Sequence, residues 1–400
     1  MHNSASYQDR EFGVAGAKTT TAIAGPMARI DDKAGRVKGR STTARFMQLS
    51  TVFRKTKQLI LNDALNNTNI KKRLLVIVKA FPGRKILVIG DIVADEYIFG
   101  ITSRISREAP VAILRYDSTV IQPGCAANAI NNIHSLSGHV IPIGVVGEDE
   151  TGKKLLAVMG KGEIVSDTIL VEAGLTTPVK TRIMAGGHNT TKQQMIRIDR
   201  DNRGNLPKKV EKRLAAIFIK SAKVADAIII SDYGLGTITP YIRRAINNFA
   251  KGSKTPVIVD SRYDMLKYKN ITAATPNTEE MEWATGVILS DKNIVETGKK
   301  VLTKLNSKAL LITRGKDGML LLQKGKKEFK LGICGKDEVA DVTGAGDTVI
   351  STFTMSLAAG ATMEEATRIA NYAGSVVVMK SGTATANMDE IRGAINSDHL

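Results

Sequence analysis

Short aliphatic runs recur along the chain, and each ends in polar residues. The first is RKILVIGD (84–91), followed by VIPIGVVG (140–147), ADAIIISD (225–232), TPVIVDS (255–261), ITAATPN (271–277) and ALLITRG (309–315). Unbroken apolar runs of this length, bounded by turn-forming residues, read as strands buried on both faces. Between most of them lie stretches with apolar residues three and four apart, such as AANAINNIHSLSG and PYIRRAINNFAKG, which read as amphipathic helices. Strands alternating with helices predict an α/β fold with a central, mostly parallel sheet flanked by helices. Ligands of such sheets bind beyond the carboxyl ends of the strands. Asp91, Asp232, Asp260, Asn277 and Thr313 with Arg314 are therefore expected to line one crevice.

Two stretches break the alternation. Residues 96–124 and 177–200 show apolar residues at every second position with turns between, which predicts antiparallel strands outside the main sheet, a small β-lid. Residues 1–45 are rich in Ala, Gly, Ser and Thr without a sustained apolar period, and are expected to be a disordered leader. Residues 46–83 carry apolar positions at helical spacing and predict one or two helices ahead of the core. The domain proper then spans 84–400.

The charge of +18 changes meaning once it is mapped. Residues 1–85 carry 17 Lys and Arg against 5 Asp and Glu, leaving 40 against 34 for the rest of the chain. The basic excess belongs to the leader. Such a leader fits an unstructured or misassigned start, with Met47 as a candidate first residue, or an organelle transit peptide. Asp9, Glu11, Asp31 and Asp32 count against the second. The leader lacks the interleaved aromatics of a single-strand nucleic-acid surface. Removing residues 1–79 is expected to leave the activity of the domain intact. The longest aliphatic run, LLVIV (74–78), is far short of the roughly 20 residues that span a bilayer. Cys125 and Cys334 form no C-x-x-C pair, so a reducing cytoplasm is the expected setting. His134, His139 and His188 have no metal-ligand spacing.

Three motifs bear on phosphate. GEDETGKK (147–154) has P-loop spacing, but Lys154 stands where a Ser or Thr would meet magnesium, and three of the four loop residues are carboxylates. It reads as a solvated turn opening a helix. GAGDTV (344–349) lacks the last glycine of a dinucleotide fingerprint. DVTGAGDT (341–348) passes a physical test. Gly344 and Gly346 let backbone approach a ligand, and a helix beginning there aims the amides of Ala345, Gly346 and Asp347 at an anion. Asp347 beside that anion site is either a proton acceptor for phosphoryl transfer or a helix-capping residue on a tight turn.

At these residues the chain resembles the ribokinase-like (PfkB) carbohydrate kinases: DVTGAGDT is similar to their C-terminal signature and PGCAANAINNI (123–133) to their glycine-rich one. GDIVADEY, TSRISREAPV, QQMIRID, SDYGLG, TPNTEE and ITRGKDGMLLL fall in the order and spacing of the D-glycero-β-D-manno-heptose 7-phosphate kinases of that family, over about 80–392. The resemblance implies a ribokinase-like fold and a kinase using ATP and Mg2+ on the anomeric O1 of heptose 7-phosphate, in ADP-heptose synthesis for cell-envelope glycans. It implies Asp347 as base, with Gly344, Ala345 and Gly346 as anion hole. Asp95, Gly124 and Asn128 would form the sugar pocket. Asn277 and Glu280 would hold magnesium through water, and Thr313, Arg314 and Gly315 would lie beside the nucleotide.

A phosphorylated substrate needs a second anion site, for which the lid offers Arg104, Arg107, Lys180, Arg182, Lys192 and Arg197; Arg104 and Lys180 sit in matching motifs and are the leading candidates. The resemblance further implies a homodimer through the lid. Because the sequence shows no H-x-G-H motif, a separate nucleotidyltransferase is expected for the following step. Two rivals stay open: another PfkB kinase, for fructose phosphate, ribose or a nucleoside, and a non-catalytic sugar- or nucleic-acid-binding protein. Cys125 departs from the family, which usually has a second glycine there.

Overall fold

The computed structural model describes residues 69–187, 192–201, 205–334 and 341–397. The leader and most of the segment 46–83 lie outside the described residues, as does His188. Of that segment, residues 69–79 form the predicted helix, α1. Its apolar residues Leu74, Ile77 and Val78, with Phe81 just beyond, are fully buried in the main core. Arg73 ties it down through Glu365 at 3.0 Å and the Gly360 carbonyl at 3.1 Å. Removal of residues 1–79 would thus strip one wall of the core, contrary to the expectation from sequence.

The aliphatic runs form strands of one nine-stranded sheet: β1 (Lys85–Gly90), β4 (His139–Gly147), β5 (Ile169–Glu172), β8 (Ala227–Asp232), β9 (Val257–Ser261), β10 (Ala273–Ala274), β11 (Ala309–Thr313), β12 (Met319–Gln323) and β13 (Phe329–Leu331). Their order is β13-β12-β11-β10-β9-β8-β1-β4-β5. The pairings are parallel from β11 through to β5, and only β12 and β13 add an antiparallel edge. Alternation along each strand feeds two cores. Ile86 and Val88 of β1 face one apolar cluster, while Leu87 and Ile89 face the other. This double burial explains why the strands read as unbroken apolar runs.

Helices α2 (Ala126–Ser135), α3 (Glu150–Lys161), α8 (Ala345–Ala358), α9 (Met363–Val377) and α10 (Met388–Ser397) join α1 on the first face. Helices α4 (Lys208–Ala222), α5 (Pro240–Gly252), α6 (Thr278–Thr285) and α7 (Ile294–Leu305) cover the second. The P-loop-like stretch is a turn opening α3, where Asp149 caps the Gly152 amide at 2.7 Å.

The lid is a separate four-stranded sheet, ordered β3-β2-β6-β7, from β2 (Ile92–Ile105), β3 (Ala112–Cys125), β6 (Val179–Gly186) and β7 (Gln193–Arg200). Both hairpins are antiparallel as expected, but β2 and β6 run parallel at the seam. Following β1 with only Asp91 between, β2 leaves the carboxyl edge of the main sheet in the same direction as β6.

Candidate active site

The connections after β1 and β8 are tied together beside Asp347. Asp91, directly after β1, accepts the backbone amides of Tyr233 and Leu235 at 2.9 and 3.0 Å and of Thr237 at 2.9 Å. The loop after β8 is therefore pinned by one carboxylate. Asp232, at the end of β8, is turned inward to Tyr268 and Ser261, at 2.6 and 3.1 Å. Both acids are structural, although the sequence marks them as crevice residues.

Asp347 lies in the first turn of α8, 4% exposed. Its Oδ2 accepts from Asn128 Nδ2 at 2.8 Å and its Oδ1 from the Tyr233 hydroxyl at 3.0 Å. Asn128 is fully buried, and its own Oδ1 accepts from Asn132 Nδ2 at 3.2 Å. Asn132 Oδ1 in turn accepts from Thr348 Oγ1 at 2.8 Å. That chain fixes which end of the Asn128 amide faces Asp347. Asn128 is not among the residues that line the cleft beside Asp347. Burial pushes the Asp347 carboxyl up to about 6, against the bonds from Asn128 and Tyr233 and the nearby Lys180 ammonium, which lower it.

Gly344 caps α8 with φ of 77°, and a Cβ on it would come within 2.6 Å of Asn128 Nδ2. Glycine there serves both the left-handed turn and the approach of Asn128. Of the expected anion-hole amides, that of Ala345 donates to the Val342 carbonyl at 3.2 Å. Gly346 and Asp347 belong to the first helical turn, where amides lack a helical acceptor.

Asp95, on β2, is buried and receives Arg182 Nη1 on Oδ1 at 2.7 Å. A Cβ at residue 124 would sit 2.7 Å from Asp95 Oδ2, so Gly124 makes the space that Asp95 occupies. Cys125 has φ of 53° and ψ of −125°, a backbone conformation suited to glycine, which accounts for the residue usual in the family. Its buried thiol, pushed up to about 12 by burial against the effect of Lys180, accepts from Lys180 Nζ at 3.0 Å.

Asp95, Asp347, Asn277, Glu280 and Thr313 line one cleft of about 600 Å³, joined by Asp260 and Thr275. Asn277 and Glu280 form a capping box on α6: Glu280 N donates to Asn277 Oδ1 at 2.8 Å and Asn277 N to Glu280 Oε2 at 2.9 Å. The pair thus starts a helix and also faces the cleft. Burial raises the Glu280 carboxyl, against the Asn277 amide and Arg262. Burial and the charges of Glu280, Asp347 and Asp232 raise Asp260 well above its usual range. Thr275 Oγ1 is buried without a hydrogen-bond partner among the described residues. An oxygen-rich, charge-crowded wall with an orphaned hydroxyl suits a cation-bearing phosphate chain. No cluster of three His, Cys, Asp or Glu suited to a metal occurs among the described residues.

Arg314 and Gly315 sit in the hairpin between β11 and β12; the Arg314 guanidinium goes to Asp291 at 2.6 Å and does not line the cleft. Arg104 also lies outside it, exposed on the distal half of β2 opposite Ile113. It is nine residue steps along β2 from Asp95, about 30 Å of extended chain. Lys192 pairs with Asp117 at 2.8 Å, and Arg182 is taken by Asp95. The basic groups lining the cleft are Lys180, Arg182, Arg197 and Arg262. Arg197 is paired with Asp199 through two bonds of 2.6 and 2.7 Å, and Lys180, Arg197 and Arg262 with Arg200 also line an adjoining recess of about 220 Å³. Sequence reasoning assigned no role to Tyr233 or Arg262.

Residues 84–390 match the family described as pfkB family carbohydrate kinase. The chain is 36% identical over 324 residues to the Bifunctional protein HldE of Caulobacter sp., covering 80% of this chain and 64% of that one. It is 39% identical over 318 residues to the protein of the same name from Actinobacillus succinogenes, covering 79% and 64%. The chain thus spans less than two thirds of the length of these curated relatives. Among solved structures, Arabidopsis thaliana ribokinase complexed with ribose and ATP superposes with a TM-score of 0.61 at 20% identity, covering 79% of this chain and all of that one. Escherichia coli phosphofructokinase-2 in complex with substrates and products gives 0.63 at 17%, covering 78% and 98%. These two establish the ribokinase-like fold. No helix among the described residues is long and apolar enough to cross a membrane.

Proposed function

The chain belongs to the pfkB family of carbohydrate kinases, and on that footing we propose that it transfers the γ-phosphate of ATP to the anomeric O1 of D-glycero-β-D-manno-heptose 7-phosphate, giving the 1,7-bisphosphate for ADP-heptose synthesis. The observation that carries the reading is the buried Asp347 carboxylate at the start of α8, in the same cleft as Asp95 and the Asn277–Glu280 pair. The choice of sugar rests on the likeness to the HldE proteins and on the motifs shared with heptose phosphate kinases.

In this mechanism Asp347 accepts the proton of the attacking O1 hydroxyl. The first-turn amides of Gly346 and Asp347, with the positive end of the α8 dipole, stabilise charge on the phosphoryl group in flight. Asp95 accepts hydrogen bonds from sugar hydroxyls, oriented for this by Arg182. The substrate's own phosphate lies against Lys180, which remains a candidate partner, and against Arg197 and Arg262, which take the place of Arg104. Magnesium bound with ATP would neutralise phosphate charge; Asn277 and Glu280 would hold it through water, and Thr313 would border the nucleotide phosphates. Lid closure excludes water, which otherwise competes as acceptor. The nucleotide-transfer step that follows requires a nucleotidyltransferase, and no residue of this cleft is assigned to it.

A homodimer through the lid belongs to the same proposal. Ile98, Ile183 and Ile196 lie in register across three lid strands on the face opposite Asp95, and Ile196 is 54% exposed. Such a row favours burial against a second copy, which light scattering would detect.

A coupled ATPase screen of phosphorylated and free sugars, wild type against Asp347→Asn, tests the function. Turnover of heptose 7-phosphate that is lost in the variant is the expected result. Turnover confined to fructose phosphate, ribose or a nucleoside would replace the substrate, and turnover surviving in Asp347→Asn would overturn the mechanism.

A further inference from the structure

We propose that Tyr233 is a positioning residue for the reaction, holding the Asp347 carboxylate in the orientation that receives the hydroxyl proton. The inference rests on the kinase reading above and extends it to Tyr233, which lies in SDYGLG (231–236) and outside the two signatures at 123–133 and 341–348.

The geometry is specific. The two oxygens of Asp347 are gripped from different elements, Oδ2 by Asn128 of α2 and Oδ1 by the Tyr233 hydroxyl from the loop after β8. With a donor on each oxygen, rotation of the carboxylate about its last bond breaks both contacts. Asn128 is itself held by Asn132. Tyr233 has an equally rigid footing, because its backbone amide donates to Asp91 and the same carboxylate ties down Leu235 and Thr237. The Lys180 ammonium lies 4.9 Å over the Tyr233 ring centroid. A cation on the ring face draws electron density from the phenol and makes its hydroxyl a better donor. Burial and the Asp347 charge keep that phenol protonated, which the donor role requires.

The charged groups facing Asp347 are Lys180 from β6, Asp95 from β2 and Asp260 from the end of β9, and the neutral Cys125 thiol at the end of β3 faces it as well. Replacing Tyr233 leaves all of them in place, so a change in the titration of the base reports the lost hydroxyl. A donor to the ionised carboxylate favours ionisation. Its removal must therefore raise the pH at which Asp347 loses its proton.

The test is the acid limb of kcat/KM for the phosphorylated sugar in two variants. Tyr233→Phe should move that limb to higher pH by about one unit and lower the rate near neutrality about tenfold. Site-specific 3-fluorotyrosine at position 233 keeps the ring and hydroxyl, so it folds as wild type does, and its more acidic phenol should move the limb the opposite way. A merely structural residue gives no opposed pair of shifts. If both limbs coincide with that of the wild type, the inference is overturned while the kinase reading stands. Absence of wild-type turnover with any phosphorylated sugar would remove the reading and the inference together.

Discussion

Arg182 Nη1 lies 2.7 Å from Asp95 Oδ1, with side chains only 8% and 5% exposed. The guanidinium also stacks 5.2 Å from the Tyr97 ring centroid. Removing one member of a buried pair leaves the other charged and unpaired, a loss of about 3–5 kcal/mol. Arg182→Ala should therefore lower the urea midpoint strongly, and Asp95→Asn added to it should restore part of the loss. A double-mutant cycle in urea measures this; strictly additive losses would show that the two charges do not interact.

Asp347 supplies a prediction in which stability and activity oppose one another. Its carboxyl titrates near 6 when folded, against an ordinary value of 3.8. The folded state holds that proton more tightly than the unfolded chain does. The favourable contribution is complete below about 3.8 and is lost as pH rises through about 6. At pH 8 the ionised carboxylate thus disfavours folding by about 3 kcal/mol. Asp347→Asn should melt higher than wild type at pH 8, with the gap closing toward pH 4, while turnover falls by a factor of about 100 or more. Calorimetry at the two pH values checks the sign.

Cys125 occupies a left-handed backbone conformation that L side chains rarely adopt. Cys125→Gly should relieve about 1 kcal/mol of strain, an increase that Cys125→Ala cannot supply because alanine keeps the Cβ. Both changes remove the sulfur that accepts from Lys180 Nζ. Denaturant midpoints separate the two effects: glycine above alanine is expected, and equal midpoints would mean that the turn carries no strain.

The parts of the fold legible in the sequence are those written in local patterns. Strands buried on both faces declare themselves as apolar runs, and the Gly344–Gly346 turn before an apolar helix marks the place of Asp347. Short strands escape such reading: β5 has four residues and β13 three, too few for a period. Partner choice escapes as well. Nothing local joins Tyr233 to Asp347 across 114 positions, although SDYGLG, a strand end with paired glycines, was a signal that the tyrosine is aimed somewhere. Arg182 looked like one of several lid cations until the buried Asp95 claimed it. Arg104 could have been set aside by arithmetic, since a fourteen-residue strand carries its far end well away from Asp95.

The helix ahead of the family domain gives a prediction that separates leader from fold. Leu74, Ile77, Val78 and Phe81 are each at most 1% exposed, though all precede residue 84, where the family match begins. Burying four such side chains stabilises by about 6 kcal/mol or more, a large part of what an ordinary domain has in total. A chain starting at residue 69 should retain its thermal midpoint and, under the proposed function, its kinase activity. A chain starting at residue 82 should lose both, because the α1 site on the core becomes an exposed apolar groove and the Arg73–Glu365 tie is gone. Equal melting of the two truncations would show that α1 is an appendage and not a wall of the core.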